Sequence, residues 1–164
     1  MQKKMKEITE KEALKKLGAL CSRAEHCSFE MQEKMTRWGL DEKAQANVMA
    51  ELVKGKFVDD ERYARAFAND KAQYNKWGRR KIDQALYMKR ISEDVRRKVI
   101  DEIDETVFNS SLRPLLEAKL KSTKAKSDYE LMCKLLRFAI GRGYDMDEAR
   151  SCLEEIFKAL PDSE

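Results

Sequence analysis

The four residues Trp38-Gly39-Leu40-Asp41 end one helical pattern and begin the next. Glycine tolerates the left-handed backbone that ends a helix, and an aspartate can accept the free N–H groups at the start of another. The same order of residue types (a helix stop, one apolar residue and an N-cap) recurs in Lys89-Arg90-Ile91-Ser92 and in Arg142-Gly143-Tyr144-Asp145. The intervals of 51 and 53 residues predict an internal repeat.

Each segment is followed by apolar residues at every fourth position, which is typical of one buried helix face. After the first two segments these positions are Ala44, Val48, Leu52, Val95, Val99 and Ile103. After Tyr144 the same spacing gives Cys152 and Ile156 at the second and third positions. The first position is Glu148, and the next residue, Ala149, is the apolar one. The apolar positions follow each of the three turns at nearly the same distances. This favours a repeat over accidental helix hairpins within one bundle.

Short polar side chains and glycines mark further helix ends. The predicted N-caps are Thr9, Ser28, Asp41, Asp59, Ser92 and Asp145, and the predicted stops are Gly39, Gly55 and Gly143. The seventh helix, at about 106–120, is expected to be somewhat broken by Pro114, because proline fits best near the beginning of a helix. The sequence therefore predicts an all-α fold of three tandem three-helix repeats, at 9–55, 59–104 and 106–160. Because one such unit buries little core alone, we expect the units to pack in an elongated, curved array.

Composition agrees with helices that have solvated outer faces. Of 164 residues, 42% are hydrophobic and 39% are charged, and there are only two prolines and six glycines. Strand-rich folds need more turn residues than this. No apolar stretch is long enough to span a membrane, and the first residues lack the apolar core of a signal peptide. We therefore expect a cytosolic protein with no membrane contact.

The chemistry-bearing residues do not form a recognisable enzyme site. Four cysteines contain no CxxC pair, and His26 is the one histidine, which argues against a metal site. No glycine-rich phosphate loop is present, and the acidic run at 59–61 is explained by helix capping. We expect no catalytic residues, no metal and no cofactor.

The basic residues are concentrated in the middle repeat. Residues 76–98 carry nine basic and three acidic side chains, a net charge of +6, whereas the whole chain has +4. Cations at 79–81 lie at a predicted helix start, where they oppose the helix dipole. An anionic partner would explain this arrangement, and a solvated helix face is the alternative. Trp77 and Tyr74 either stack on nucleic-acid bases or, more commonly for such residues, pack between helices.

The candidate binding residues are all basic and lie within residues 76–90 of this region. They are Lys76, Arg79, Arg80, Lys81, Lys89 and Arg90.

The sequence also resembles a known family. Gly55-Lys56-Phe57-Val58-Asp59-Asp60-Glu61-Arg62-Tyr63-Ala64, with Phe67 and then Gly78-Arg79-Arg80-Lys81-Ile82 and Leu86, is similar to the RecX regulatory proteins. The resemblance extends over about residues 10–105. One departure is Arg90, where the family often has glycine; we expect Arg90 either to adopt a left-handed backbone, at about 1 kcal/mol, or to end the helix in another way.

The resemblance implies tandem helix-turn-helix-like units and a function. Such proteins bind the RecA recombinase and its DNA filament, have some affinity for DNA, and modulate the recombinase, usually by inhibition. It therefore implies a regulator of DNA repair and recombination, which we expect to be a monomer and to contact DNA weakly or through the filament. The alternatives are a stand-alone DNA-binding protein and a helical scaffold for another partner.

Overall fold

A computed structural model describes residues 8–161, and within that range the regular structure consists of nine α-helices. Most helices begin at an aspartate, serine or threonine whose side-chain oxygen accepts a backbone N–H of the first turn. The helices are α1 (Glu10–Arg23), α2 (Ser28–Arg37), α3 (Glu42–Lys54), α4 (Asp60–Gln73), α5 (Arg79–Met88), α6 (Glu93–Asp101), α7 (Glu105–Ser122), α8 (Asp128–Gly141) and α9 (Met146–Ala159).

The helices pack in three groups of three, which confirms the predicted all-α repeat fold. Helices α1–α3 form unit 1, α4–α6 form unit 2 and α7–α9 form unit 3, and α4 also packs against α7. The limits 9–55, 59–104 and 106–160 remain a prediction for domain boundaries. None of the described helices has the length and apolar character needed to cross a membrane.

The turn between the second and third helices of each unit has the same hydrogen bond in all three units. The N–H of the apolar residue donates to the carbonyl five residues earlier, at 3.1 Å for each of Leu40, Ile91 and Tyr144. The residue before it has a positive φ in every unit: 82° at Gly39, 58° at Arg90 and 96° at Gly143. This is the geometry of a helix C-cap. Arg90 therefore adopts the left-handed conformation, one of the two possibilities expected from the sequence.

The buried side chains form two clusters. Unit 1 has its own core, consisting of Ala13, Leu17, Met31, Met35, Val48, Leu52 and the following residue Val58. Units 2 and 3 share one continuous core, which runs from Tyr63 through Leu86 and Phe108 to Ile156. Cys27 and Phe29 of unit 1 join that larger cluster at its edge. The core is thus divided once, between unit 1 and the rest.

Two helix ends, the start of α2 and the end of α3, differ in detail from the sequence prediction. Cys27, rather than Ser28, is the N-cap of α2, and its N–H donates to the Glu30 carboxylate at 3.3 Å. The Ser28 N–H donates to Asp60 of α4, at 2.7 Å. Gly55 does end α3 as predicted, but its φ is an ordinary −79°, and the left-handed residue is Lys56, with φ 59°. The Phe57 N–H then reaches the Leu52 carbonyl at 2.9 Å, so the turn ends one residue later.

Pro114 does not break α7, contrary to the sequence prediction. The helix is continuous over all of its 18 residues, with Pro114 inside it. Phe108 and Leu112 before the proline and Leu116 after it are buried in the shared core, while Pro114 itself is exposed. Burial on both sides offsets the hydrogen bond that proline removes.

Candidate functional site

The six candidate basic residues lie at the two ends of α5. Lys76, Arg79, Arg80 and Lys81 surround its N-terminus, and Lys89 and Arg90 follow its C-terminus. A helix of ten residues is about 15 Å long, so the structure brings four of the residues together and separates the other two. The first group faces unit 3, and the second faces unit 1.

At the N-terminus of α5 the backbone of unit 2 contacts the backbone of unit 3. The Gly78 N–H donates to the Arg142 carbonyl at 2.7 Å, and the Arg80 N–H donates to the Gly143 carbonyl at 3.0 Å. A Cβ at Gly78 would lie 2.4 Å from the Gly143 carbonyl carbon. The approach therefore requires glycine at position 78, and the α8–α9 turn takes up two N–H groups from the start of α5.

The charged groups at this end already have partners within the chain. Arg80 pairs with Asp145 at 3.0 Å, and Arg79 lies 3.5 Å from Glu148. The Arg79 guanidinium also stacks on Phe108, 4.3 Å from the ring centre. The α9 carboxylates therefore explain cations at a helix start without an external anion. The side chain of Arg80 is nevertheless 73% exposed, so it remains accessible to a partner.

Lys76 and the neighbouring aromatic residues complete this end of α5. Lys76 has φ 58°, and its carbonyl accepts a hydrogen bond from the Tyr144 hydroxyl at 2.9 Å. Burial raises the pKa of Tyr144 to about 12. Trp77 packs edge-on against Phe67, and the Lys81 ammonium lies 4.5 Å from the Trp77 ring centre. Tyr74 is 78% exposed, so a packing role for it is wrong.

The C-terminal end of α5 contacts the start of α2 in unit 1. The Arg90 guanidinium lies 4.6 Å from the centre of the Phe29 ring, and the Lys89 carbonyl is 4.0 Å from the Cys27 sulfur. Burial raises the pKa of the Cys27 thiol to about 11. Burial also opposes ionisation of Glu30, but hydrogen bonds from Cys27 and the nearby positive charges leave the pKa of Glu30 lowered overall.

Residues 8–161 contain no group of three or more histidine, cysteine or acidic side chains arranged to hold a metal ion. The described thiols are unpaired as disulfides. Burial raises the pKa of Cys21 and Cys152 as well as that of Cys27. Thiols with raised pKa are poor nucleophiles at neutral pH.

Unit 2 and the larger part of the chain are similar to known proteins. The family model for the second three-helix domain of RecX matches residues 59–100, which is most of unit 2. A regulatory protein RecX of Vibrio parahaemolyticus is 30% identical over 129 residues, and the match covers 79% of this chain and 81% of that protein. The chain belongs to the RecX regulatory protein family.

Other RecX proteins are similar over a smaller share of their length. The regulatory protein RecX of Clostridium perfringens strain 13 is 31% identical over 137 residues, covering 82% of this chain. The chain spans about 62% of the length of that relative.

Two solved RecX structures share the fold. The crystal structure of RecX from Lactobacillus salivarius has a TM-score of 0.80 at 13% identity and covers 91% of this chain and 97% of that one. A second crystal structure of a regulatory protein RecX has a TM-score of 0.79 at 15% identity, covering 91% of this chain and 71% of that one. At this identity the likeness concerns the arrangement of helices.

Proposed function

We propose that this protein binds the RecA recombinase and its DNA filament in the cytoplasm and lowers recombinase activity. Membership of the RecX family is the observation that carries this proposal. The relatives are named regulatory proteins, and the described part of this chain has no grouping of side chains suited to metal chemistry. Regulation would then operate through binding alone.

The arrangement of the units supports binding along a filament. Three helical units in series offer a long surface, and a long surface can contact more than one protomer of a helical assembly. A molecule bridging protomers would oppose filament growth, strand exchange and ATP turnover. The protein is expected to act as a monomer.

Cations at both ends of α5, exposed at Arg80 and Arg90 and half-buried at Lys81 and Lys89, provide charge for such a contact. Arg80 and Lys81 lie beside the 2–3 interface, which is the contact between α5 and the α8–α9 turn. Lys89 and Arg90 lie beside the 1–2 interface, which is the contact of α2 with α4 and α5. Phosphates or carboxylates of the filament would meet cations at two positions about 15 Å apart.

The direct test measures RecA-driven ATP hydrolysis and strand exchange with increasing amounts of this protein. We expect both to fall at substoichiometric ratios, because one bound molecule affects a growing filament end or several protomers. Absence of any effect at every ratio would contradict the proposal. Tight DNA binding together with no dependence on RecA would favour a stand-alone DNA-binding protein.

A filament-disassembly assay tests the α5 residues. We expect an Arg79→Ala/Arg80→Ala/Lys81→Ala variant to disassemble filaments at least about tenfold less effectively, since it loses three cations. Arg79 and Arg80 also form ion pairs with Glu148 of α9 and with Asp145, its N-cap. The matched control is therefore Asp145→Asn/Glu148→Gln. That control breaks the same ion pairs but keeps the cations and an N-cap at position 145. It should keep wild-type activity; equal loss in both variants would make the α5 cations structural only.

A further inference from the structure

One basic surface without carboxylate partners in the described part of the chain lies in unit 3, at the connection between α7 and α8. We name Lys119, Lys121, Lys124 and Lys126 the α7–α8 lysines; all four are exposed. Within residues 8–161 none of them has a carboxylate at ion-pair distance. Arg79 and Arg80, in contrast, are both paired with carboxylates at the start of unit 3.

The neighbouring carboxylates are engaged elsewhere. Glu130 accepts the Lys126 backbone N–H at 3.1 Å and pairs with Lys134 at 3.2 Å. Glu117 pairs with Arg113 at 2.8 Å. Asp128 is therefore the one acidic side chain between positions 118 and 129 that opposes the lysines. The Lys119 ammonium lies 5.0 Å from the Phe138 ring centre, and the positive charge of the four lysines is not neutralised by ion pairs in the described chain.

The connection is also held in a defined shape. The Thr123 hydroxyl donates to the Lys119 carbonyl at 2.6 Å, and the Lys134 ammonium donates to the Lys124 carbonyl at 2.7 Å. Ser127 then caps α8 by accepting the Glu130 N–H at 3.1 Å. A surface held in place before binding loses little conformational entropy when it meets a ligand.

An exposed aromatic ring adjoins the lysines. Tyr129, in the first turn of α8, is 80% exposed, the largest value among the exposed large hydrophobic residues of the described chain. A flat ring beside several cations suits a single nucleic-acid strand, whose bases stack on aromatic side chains while its phosphates meet the cations.

We propose that the α7–α8 lysines and Tyr129 bind single-stranded DNA, with the lysines on phosphates and the ring on a base. The proposal rests on the function proposed above, because a recombinase filament presents such a strand. It places a DNA contact in unit 3, outside the α5 residues. Its readout needs no recombinase, so its failure is distinguishable from failure of RecA regulation.

The test titrates the full chain with a fluorescent oligothymidylate at several salt concentrations. The first variant is Lys121→Ala/Lys124→Ala/Lys126→Ala. Each phosphate contact contributes about 0.7 to the slope of log affinity against log salt for a single strand, so this variant should lower the slope by about 2. Its affinity should fall about tenfold or more. The matched control, Lys11→Ala/Lys15→Ala/Lys43→Ala, removes three exposed lysines from unit 1 and should retain the wild-type slope.

The ring is tested separately by two substitutions. Tyr129→Ala should weaken binding about tenfold because stacking is lost, whereas Tyr129→Phe should bind like wild type. The proposal is overturned if the wild-type protein does not bind the oligonucleotide at low salt, or if the lysine variant keeps its affinity and slope. It is also overturned if the unit 1 control loses as much. Loss of filament binding with intact oligonucleotide binding would assign the lysines to an acidic protein surface instead.

Discussion

The two interfaces between units are built differently. At the 2–3 interface the backbones touch, through Gly78 and Gly143, and the hydrophobic core continues from one unit into the next. At the 1–2 interface the contacts involve side chains: Ser28 N–H to Asp60, Arg62 to Glu25, and Arg90 on Phe29. Most of the unit 1 core is separate. Units 2 and 3 therefore form one rigid pair, whereas unit 1 is attached to them more loosely, although all three have a similar repeat.

This difference bears on how the protein could follow a filament. Two units that share a core move together, since separating them would expose a continuous apolar surface. Unit 1 is joined by the apolar contacts of Cys27 and Phe29 at the edge of that core and by polar and cation–π contacts, which individually contribute about 1 kcal/mol. Its orientation is therefore the feature that we expect to adjust when the array binds a partner.

The largest effect is expected at the 2–3 interface. Gly143 has φ 96°, and a Cβ there would lie 2.4 Å from the Lys81 Cβ. Gly143→Ala combines left-handed strain of about 1–2 kcal/mol with overpacking of about 1–3 kcal/mol. We therefore expect it to lower the free energy of unfolding by about 3 kcal/mol, measured by urea denaturation.

The control for that substitution lies two residues away. A Cβ at Gly141 would meet no atom within 4 Å. Gly141→Ala should change stability by less than about 1 kcal/mol, in the stabilising direction. Equal effects of the two substitutions would contradict a close backbone contact at the 2–3 interface.

Alkaline pH should act on the 1–2 interface through Cys27. Burial raises the thiol pKa from 9.0 to about 11, so the folded protein keeps the proton after the unfolded chain has lost it. The resulting stability is complete below pH 9 and is lost between pH 9 and 11, on the order of 2 kcal/mol. Urea midpoints measured from pH 8 to 11 should fall more steeply for the wild type than for Cys27→Ala. Parallel curves would show that the thiol is not protected by burial.

Asp60 should contribute a smaller amount at the same interface. Asp60→Ala leaves the Ser28 N–H at the start of α2 without its acceptor, and we expect a cost of about 1–2 kcal/mol. Asp60→Asn retains an acceptor oxygen and should cost less. Amide exchange should accelerate at Ser28 in Asp60→Ala. Unchanged exchange there would mean that the two units are held together by other contacts.

The smallest effect is expected at Arg90. Arg90→Gly removes strain of about 1 kcal/mol but also the cation–π contact with Phe29, of about 0.5–1 kcal/mol, so the net change should be near zero. Lys56→Gly, also at a positive φ, is the control without an aromatic partner in the described structure, and it should stabilise by up to about 1 kcal/mol. A clear loss in Arg90→Gly alone would show a stronger 1–2 interface than we describe.

Local features of the fold were predictable from sequence, and contacts distant in sequence were not. Asp41, Ser92 and Asp145 were predicted as N-caps because capping depends on the next few residues. The contact between the Ser28 N–H and Asp60, 32 residues later, was not predictable from the local sequence. The continuation of α7 through Pro114 follows from burial in a core that two units share.

The candidate site shows the same limit. Charge counting located the basic residues around α5, but their separation into two groups depends on how α5 lies between units. The carboxylates of Asp145 and Glu148, more than 60 residues away, became visible only in the folded chain. Conversely, the α7–α8 lysines do not stand out in the sequence, because their lack of carboxylate partners is a property of the fold.

The central claim, that units 2 and 3 form one body while unit 1 is separately attached, is tested most directly by native-state hydrogen exchange. Exchange of buried amides is followed at increasing urea concentrations below the unfolding transition. We predict that amides of α1–α3 share an opening of lower free energy than the amides of α4–α9, which should open together. A single common opening for all nine helices, or separate openings for units 2 and 3, would contradict the account.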